Sequence, residues 1–360
     1  MAFAQMLGWL SCGAAAQSTD ENFMLPAYHF QSALRRERMR TDRSGTGFSL
    51  LAVTLGQRAA QGAALANVLE QRIRGTDTAG WLAKRKVGII LPDTPALGAW
   101  KLAGDLRLPL EKINLSAQFE VYEYPSCDSP QQQPLKEPAD ADLGISAPAL
   151  RVQALEMLFV QKLPTVKRLM DIAGAASALA IASPLILAVA LAIKVTSRGP
   201  ILYAQQREGS GGRTFWIYKF RTMVVNADAM KGELRAMSEQ DGPAFKLKND
   251  PRVVPIGRLL RRTCLDELPQ LFNVLQGSMS LVGPRPLPCE ESRRCERWER
   301  RRLDVTPGLT CTWQVHGGTK VTFREWMRMD LRYVRSRSLW KDLQLMALTL
   351  PSVIKRDGVY

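Results

Sequence analysis

Asp266 and Glu267 stand side by side in TCLDELPQ, Thr263–Gln270, within a strongly basic stretch of the chain. Arg252, Arg258, Arg261 and Arg262 precede them, and Arg285 follows between Pro284 and Pro286. Pro269 lacks an N–H and fits the first turn of a helix, which places the pair at a helix start. Acidic residues there complement the helix dipole and need no further role. The surrounding arginines raise a sharper reading. Adjacent residues on a helix lie about 100° apart, so both carboxylates can address one site. Guanidinium groups on rigid segments suit bidentate binding of phosphate oxygens. A carboxylate among arginines is expected to have a lowered pKa and to stay ionised. It could hold a metal ion, or attack phosphorus to form an acyl phosphate.

Two further clusters carry chemistry. In YKFRTM, Lys219 and Arg221 alternate with aromatic residues, so on a strand both would face one anion. The stretch Gly199–Met223 reads as a hairpin turning at GSGG. A phosphate-cradling loop would need a following helix and a Gly-Lys pair. In RLDVTPGLTCTWQVHGGTK, turn residues flank a Trp-Gln segment that could line a base or sugar site, although a packed loop is the simpler reading. SRRCERWERRR, Ser292–Arg302, reads as a basic surface helix.

What positions these groups follows from the whole chain. Its 360 residues suffice for two domains. A formal charge of +15 implies an anionic partner: nucleic acid, an anionic membrane or a phosphorylated substrate. No nucleic-acid reader fold is legible, so nucleic acid is not expected. Six cysteines without a CxxC pair, and only two histidines, argue against zinc and for reduced, cytoplasm-facing thiols. The mildly apolar N-terminus lacks the basic residues of a signal peptide.

From Ile172 to Ile193 the chain is apolar and uncharged, long enough for a bilayer core. Ser183-Pro184 falls at its centre, where a kink is expected, with Ser183 available to a freed backbone group. Lys167 and Arg168 precede the run and Lys194 and Arg198 follow it, which favours both ends on the cytoplasmic face. The residues leave a full span and a hairpin open. The C-terminal SLWKDLQLMALTLPSVIKRDG has an apolar side of Trp340, Leu343, Leu345, Met346, Leu348 and Leu350. It could lie in a membrane interface, but a core helix is the better expectation.

The N-terminal part predicts strands at Gly47–Leu55 and Lys86–Asp93, each followed by a helix, Ala64–Arg74 after the first. This layout resembles diguanylate cyclases. The signature turn here reads LAKRKVG, with Lys84, Arg85 and Lys86 where acidic metal ligands belong. A metal-dependent cyclase cannot work so. The resemblance therefore implies a degenerate module with a structural or regulatory role.

Residues 164–360 resemble the bacterial sugar transferases, the monotopic polyprenyl-phosphate phosphoglycosyl transferases. The likeness is carried by KRLMDIAGAASALAIASPLILAVALAIKVTSRGPILYAQQREG, FWIYKFRTM, DPRVVPIGRLLRRTCLDELPQLFNVLQGSMSLVGPRP, VTPGLTCTWQV and SLWKDLQLMALTLPSVIKRDG. The resemblance implies transfer of a sugar 1-phosphate from a UDP-sugar to polyprenyl phosphate, with UMP released through a covalent phosphosugar intermediate. It implies Asp266 as nucleophile, Glu267 as its partner at Mg²⁺, and Lys219, Arg221, Arg258, Arg261 and Arg285 near the phosphates. It also implies a re-entrant helix, 167–195, broken at Ser183 and Pro184, in the bacterial inner membrane with the catalytic domain in the cytoplasm. Gly318 stands where an arginine is usual, and Lys320 is a candidate to compensate.

The resulting expectation is a mixed α/β (α+β) chain. An irregular N-terminus, 1–30, precedes a cyclase-like α/β module, 31–125, and a linker, 126–163. A mostly helical, membrane-associated catalytic domain with a small β-hairpin occupies 164–360. A homodimer is compatible with this layout. The rival reading is a membrane-anchored regulatory or scaffold protein acting through the N-terminal module.

Overall fold

The computed structural model describes residues 23–56, 61–126, 151–316 and 321–355. Most of the expected N-terminal tail and linker lies outside the described residues, as do Gly318 and Lys320. The chain divides into two units at Leu155 and Glu156.

In the first unit, apolar runs bounded by turn residues become buried strands. The elements are α1 (Ala27–Ser44), β1 (Phe48–Leu55), α2 (Gln61–Glu70), β2 (Thr78–Ala83), β3 (Lys86–Pro92), α3 (Ala96–Lys112), β4 (Ala117–Tyr124) and β5 (Val152–Ala154). The sheet order is β2-β3-β1-β4-β5, antiparallel except for β4 with β5. β1 is buried along nearly its whole length because it is central. Its side chains, with Leu65, Leu69, Trp100, Leu106 and Leu110 of the helices, form the core. Three expectations are corrected. A helix begins at Ala27, inside the stretch read as irregular. The helix expected over Ala64–Arg74 ends at Glu70. Residues 152–154, read as linker, close the sheet edge by pairing with Val121–Glu123.

The second unit opens with α4 (Thr165–Thr196), a helix of 32 residues. Next come β6 (Leu202–Glu208), β7 (Thr214–Phe220), α5 (Lys231–Leu234), α6 (Pro255–Arg262), α7 (Gln270–Gln276), β8 (Ser280–Val282) and α8 (Cys289–Arg293). β9 (Gly308–Thr310), α9 (Thr312–His316), α10 (Phe323–Ser336) and α11 (Leu339–Lys355) complete it. β6 and β7 form the expected hairpin, with Gly211 and Gly212 taking the positive φ its turn requires.

Helical backbone continues through Ser183 and Pro184, where the break is expected. Pro184 removes the amide that would bond the Ala180 carbonyl, and the Ser183 hydroxyl donates to that carbonyl instead, at 2.8 Å. One face of α4 packs on the unit through Ala175, Val189 and Ile193. The other exposes Leu169, Ile181, Leu187 and Leu191. Both ends are tied to the same body. At the start, Lys167 donates to Asp342 of α11 at 2.6 Å, and Arg168 donates to the carbonyls of Val274 and Leu275. At the far end, Ser197 accepts from Arg221 at 2.6 Å.

The core expectation for α11 holds on one side only. Leu345 is buried, but Trp340 is 77% exposed, and Leu343 and Leu348 also face outward. The basic helix expected over Ser292–Arg302 is corrected to α8, a loop and a 3₁₀ turn. Arg302 is buried there because Asp330 receives its guanidinium.

Candidate active site

Packing around β7 sets the geometry. Asn273 of α7 is buried against β7, accepting from the Tyr218 amide at 3.1 Å and donating to the Trp216 carbonyl at 2.7 Å. This side chain fixes the strand beside the helix and thereby fixes Lys219. α6 comes close to the end of β7 because Gly257 has no side chain. A Cβ there would lie 2.1 Å from the Thr222 carbonyl oxygen. Arg261 is then near enough for its Nε to donate to the Thr222 hydroxyl at 2.9 Å.

Between α6 and α7 the chain reverses at Cys264, which takes a left-handed backbone with φ 55°. Leu265–Glu267 form a 3₁₀ turn ahead of α7. The acidic pair thus precedes the α-helix rather than opening it, with Pro269 capping α7. Lys219, Arg261, Asp266, Glu267 and Arg285 line one cleft of about 1020 Å³. Arg258 and Arg262 stand exposed at its edge.

The two carboxylates have different surroundings. Glu267 accepts from Lys219 at 2.7 Å and binds Arg285 through both oxygens. Burial works to raise its pKa, but Arg285 and Lys219 outweigh burial and hold it well below the usual range. Among the described residues Asp266 makes no ion pair of its own. Burial pushes its pKa up to about 6, the Glu267 charge adds to this, and Lys219, Arg261 and Arg285 only partly oppose it. The expected lowering at Asp266 is therefore corrected: the nearest cations are engaged by its neighbour, and desolvation dominates. Burial also lowers the Lys219 pKa.

Arg285 is held from behind. Arg302 donates to its backbone carbonyl and pairs with buried Asp330, Nη2 to Oδ2, at 2.7 Å. Sequence reasoning missed Asn273, Arg302 and Asp330. An acid four residues after Trp326, on the apolar face of α10, was the available signal for Asp330. Lys219 and Arg221 line the same cleft; Arg221 lies just beyond β7 and turns its Nη2 to Ser197.

Among the described residues no three Asp, Glu, His or Cys side chains converge as a metal cage. Glu267 is occupied by cations and is poorly disposed to bind another. Asp266 retains free oxygens. Mg²⁺ commonly binds through one carboxylate and substrate phosphates, so the donor set fits such a shared site through Asp266 alone.

The family model described as bacterial sugar transferase matches residues 162–356, just over half of the chain. This chain belongs to the bacterial sugar transferases. The matched segment includes all of α4, the cleft and its cations. Relatives in the family include undecaprenyl-phosphate galactose phosphotransferase of Salmonella typhimurium, 45% identical over 203 residues, or 54% of this chain and 41% of that protein. Another is UDP-glucose:undecaprenyl-phosphate glucose-1-phosphate transferase of Caulobacter vibrioides, 40% identical over 205 residues, or 54% of this chain and 72% of that protein. The chain spans 41–43% of the length of several curated relatives that it matches. A solved GGDEF domain of Caulobacter crescentus is 12% identical and covers 40% of this chain and 98% of its own, at TM-score 0.27. A likeness of that size supports no statement about the first unit.

Proposed function

We propose that this chain moves a sugar 1-phosphate from a UDP-sugar to a polyprenyl phosphate, with Asp266 as the nucleophile. The observation that carries the reading is the division of labour in the acidic pair. Glu267 keeps Lys219 and Arg285 in place, while Asp266 stays buried, without an ion pair among the described residues, and open to the cleft. The Salmonella and Caulobacter relatives are named for undecaprenyl-phosphate substrates, which supports the same acceptor class here.

In the first half-reaction an Asp266 oxygen bonds to the sugar-bearing phosphorus as the bond to the bridging oxygen breaks. UMP leaves with that electron pair. In the second, an oxygen of the prenyl phosphate attacks the same phosphorus. The aspartyl–phosphorus bond breaks, the carboxylate is restored, and a polyprenyl diphosphate-sugar forms. Lys219, Arg261 and Arg285 offset the charge on the diphosphate and on departing UMP, and Arg258 draws anions to the cleft. Arg221 acts at one remove, by holding the end of α4. Mg²⁺, when bound to Asp266 and the substrate phosphates, would supply further neutralisation.

The acceptor requires a lipid surface. Both ends of α4 are fastened to one body, so the helix enters a bilayer and leaves by the same face, and Pro184 is the place for it to turn. The outward apolar side chains of α11 lie in the same interface. The setting is the bacterial inner membrane, with the catalytic unit in the cytoplasm. Incubation with donor labelled in its sugar phosphate, followed by peptide mapping, tests the chemistry. Label should be recovered on Asp266. Turnover with no label on that residue would overturn the reading.

A further inference from the structure

The cleft has a wall that phosphate chemistry does not use. Trp313, Gln314 and Trp326 line the same cavity as Asp266 and Arg285. The two indole rings lie 4.7 Å apart at 45°, and Phe323 meets Trp326 edge-on at 5.5 Å. Leu287 and Met327 pack in the same cluster. The aromatic surface is therefore fixed before any ligand arrives. It adjoins the cationic site through Arg302, whose guanidinium lies 5.7 Å from the Trp326 ring centre while donating to the Arg285 carbonyl.

Gln314 is oriented as well. The Cys311 thiol donates to its Oε1 at 2.9 Å. Burial holds this thiol well above its ordinary range, so it keeps its proton and remains a donor. A carboxamide facing a donor turns its oxygen toward it and its NH₂ away. No described residue accepts from that NH₂. A rigid indole wall with an oriented, unused N–H donor suits a flat conjugated ring carrying a carbonyl at its edge.

We propose that Trp313 and Gln314 hold the pyrimidine of the nucleotide donor, with the ring against Trp313 and the Gln314 NH₂ donating to the 4-carbonyl. This rests on the phosphoglycosyl-transfer reading and adds the seat of the leaving nucleotide to it. The donor distinguishes uracil from cytosine, whose amine at that position also donates.

The test is equilibrium binding of UMP and of CMP to the full-length, detergent-solubilised protein, beside donor kinetics. Gln314→Glu keeps the size of the side chain and an acceptor for Cys311 but removes the donor. UMP affinity should fall about tenfold or more, while CMP, equal in charge, falls less than threefold. KM for the UDP-sugar should rise in step with the UMP Kd, with kcat at saturating donor within threefold. The uncharged Gln314→Leu should weaken UMP similarly, and Trp313→Leu should weaken both nucleotides. A UMP Kd within twofold of the parent value in both Gln314 variants, or equal losses for UMP and CMP in Gln314→Glu, overturns the proposal. So does a parent protein that binds neither nucleotide. Binding is read without turnover, so failure to label Asp266 would count against the covalent chemistry and leave this measurement standing.

Discussion

Glu267 holds Arg285 through both carboxylate oxygens, and the side chain beside it, Asp266, pairs with no cation among the described residues. The two acids are not interchangeable. One organises the positive charges and the other is kept available by their absence.

Asp266 gives the pH dependence. Its folded pKa is raised, so the protonated form favours the native state. That stabilisation is full below the unfolded value near 4 and is lost as pH rises through about 6. Without divalent cation, Asp266→Asn should therefore melt higher than the parent at pH 8, by on the order of 2 kcal/mol, and the gap should close toward pH 4. Thermal melts across that range check it. UMP release should show the opposite preference and fall as pH drops through about 6, because the proposed nucleophile must be ionised.

Removing the charge of Glu267 should scatter the cations it gathers. Glu267→Gln is expected to lower kcat/KM about a hundredfold. It should also cost about 3 kcal/mol of stability, since two largely buried cations lose their anion. Steady-state kinetics and urea unfolding on one preparation read both effects. A variant with parental kinetics would remove Glu267 from the account.

Ser183 matters only because Pro184 follows it. Ser183→Ala should destabilise by about 1 kcal/mol, leaving the Ala180 carbonyl without its donor. In a Pro184→Ala background the backbone amide returns, and the same change should cost well under half as much. A double-mutant cycle measured by thermal unfolding in detergent decides it. Equal costs in both backgrounds would show that the hydroxyl is not replacing the amide.

Gly257→Ala should push α6 off Thr222, because its Cβ would fall 2.1 Å from a backbone oxygen. Arg261 then loses its hydroxyl partner, and a destabilisation of about 2–3 kcal/mol is expected with a rise in donor KM. Unfolding midpoints and initial rates measure the two halves of this prediction.

The hairpin and the order of the chemistry-bearing segments were readable because glycines, prolines and alternating apolar residues act locally. The charge state of Asp266 was not. Five nearby arginines predicted a lowered pKa, but proximity in sequence does not say which carboxylate takes which cation, and the 3₁₀ turn hands Lys219 and Arg285 to Glu267. The Ser197 partner of Arg221 was not legible either, because β7 ends at Phe220 and the strand alternation with it. Arg302 looked like one of many surface charges, and only the packing of Asp330 against it shows that it is interior. The first unit's β1 and β3 were legible from their continuous apolar runs. β5 was not, since three residues paired across a long sequence gap carry no periodic signal.

Lys167 and Asp342 meet although 175 positions separate them. Lys167 is made 175 residues before Asp342, so the ribosome delivers a cation whose counter-ion does not yet exist. Sealing that corner of the protein must wait for α11, whatever the lipid has already done with the segment between. Products that stop short of residue 342 would carry a buried charge without its counter-ion.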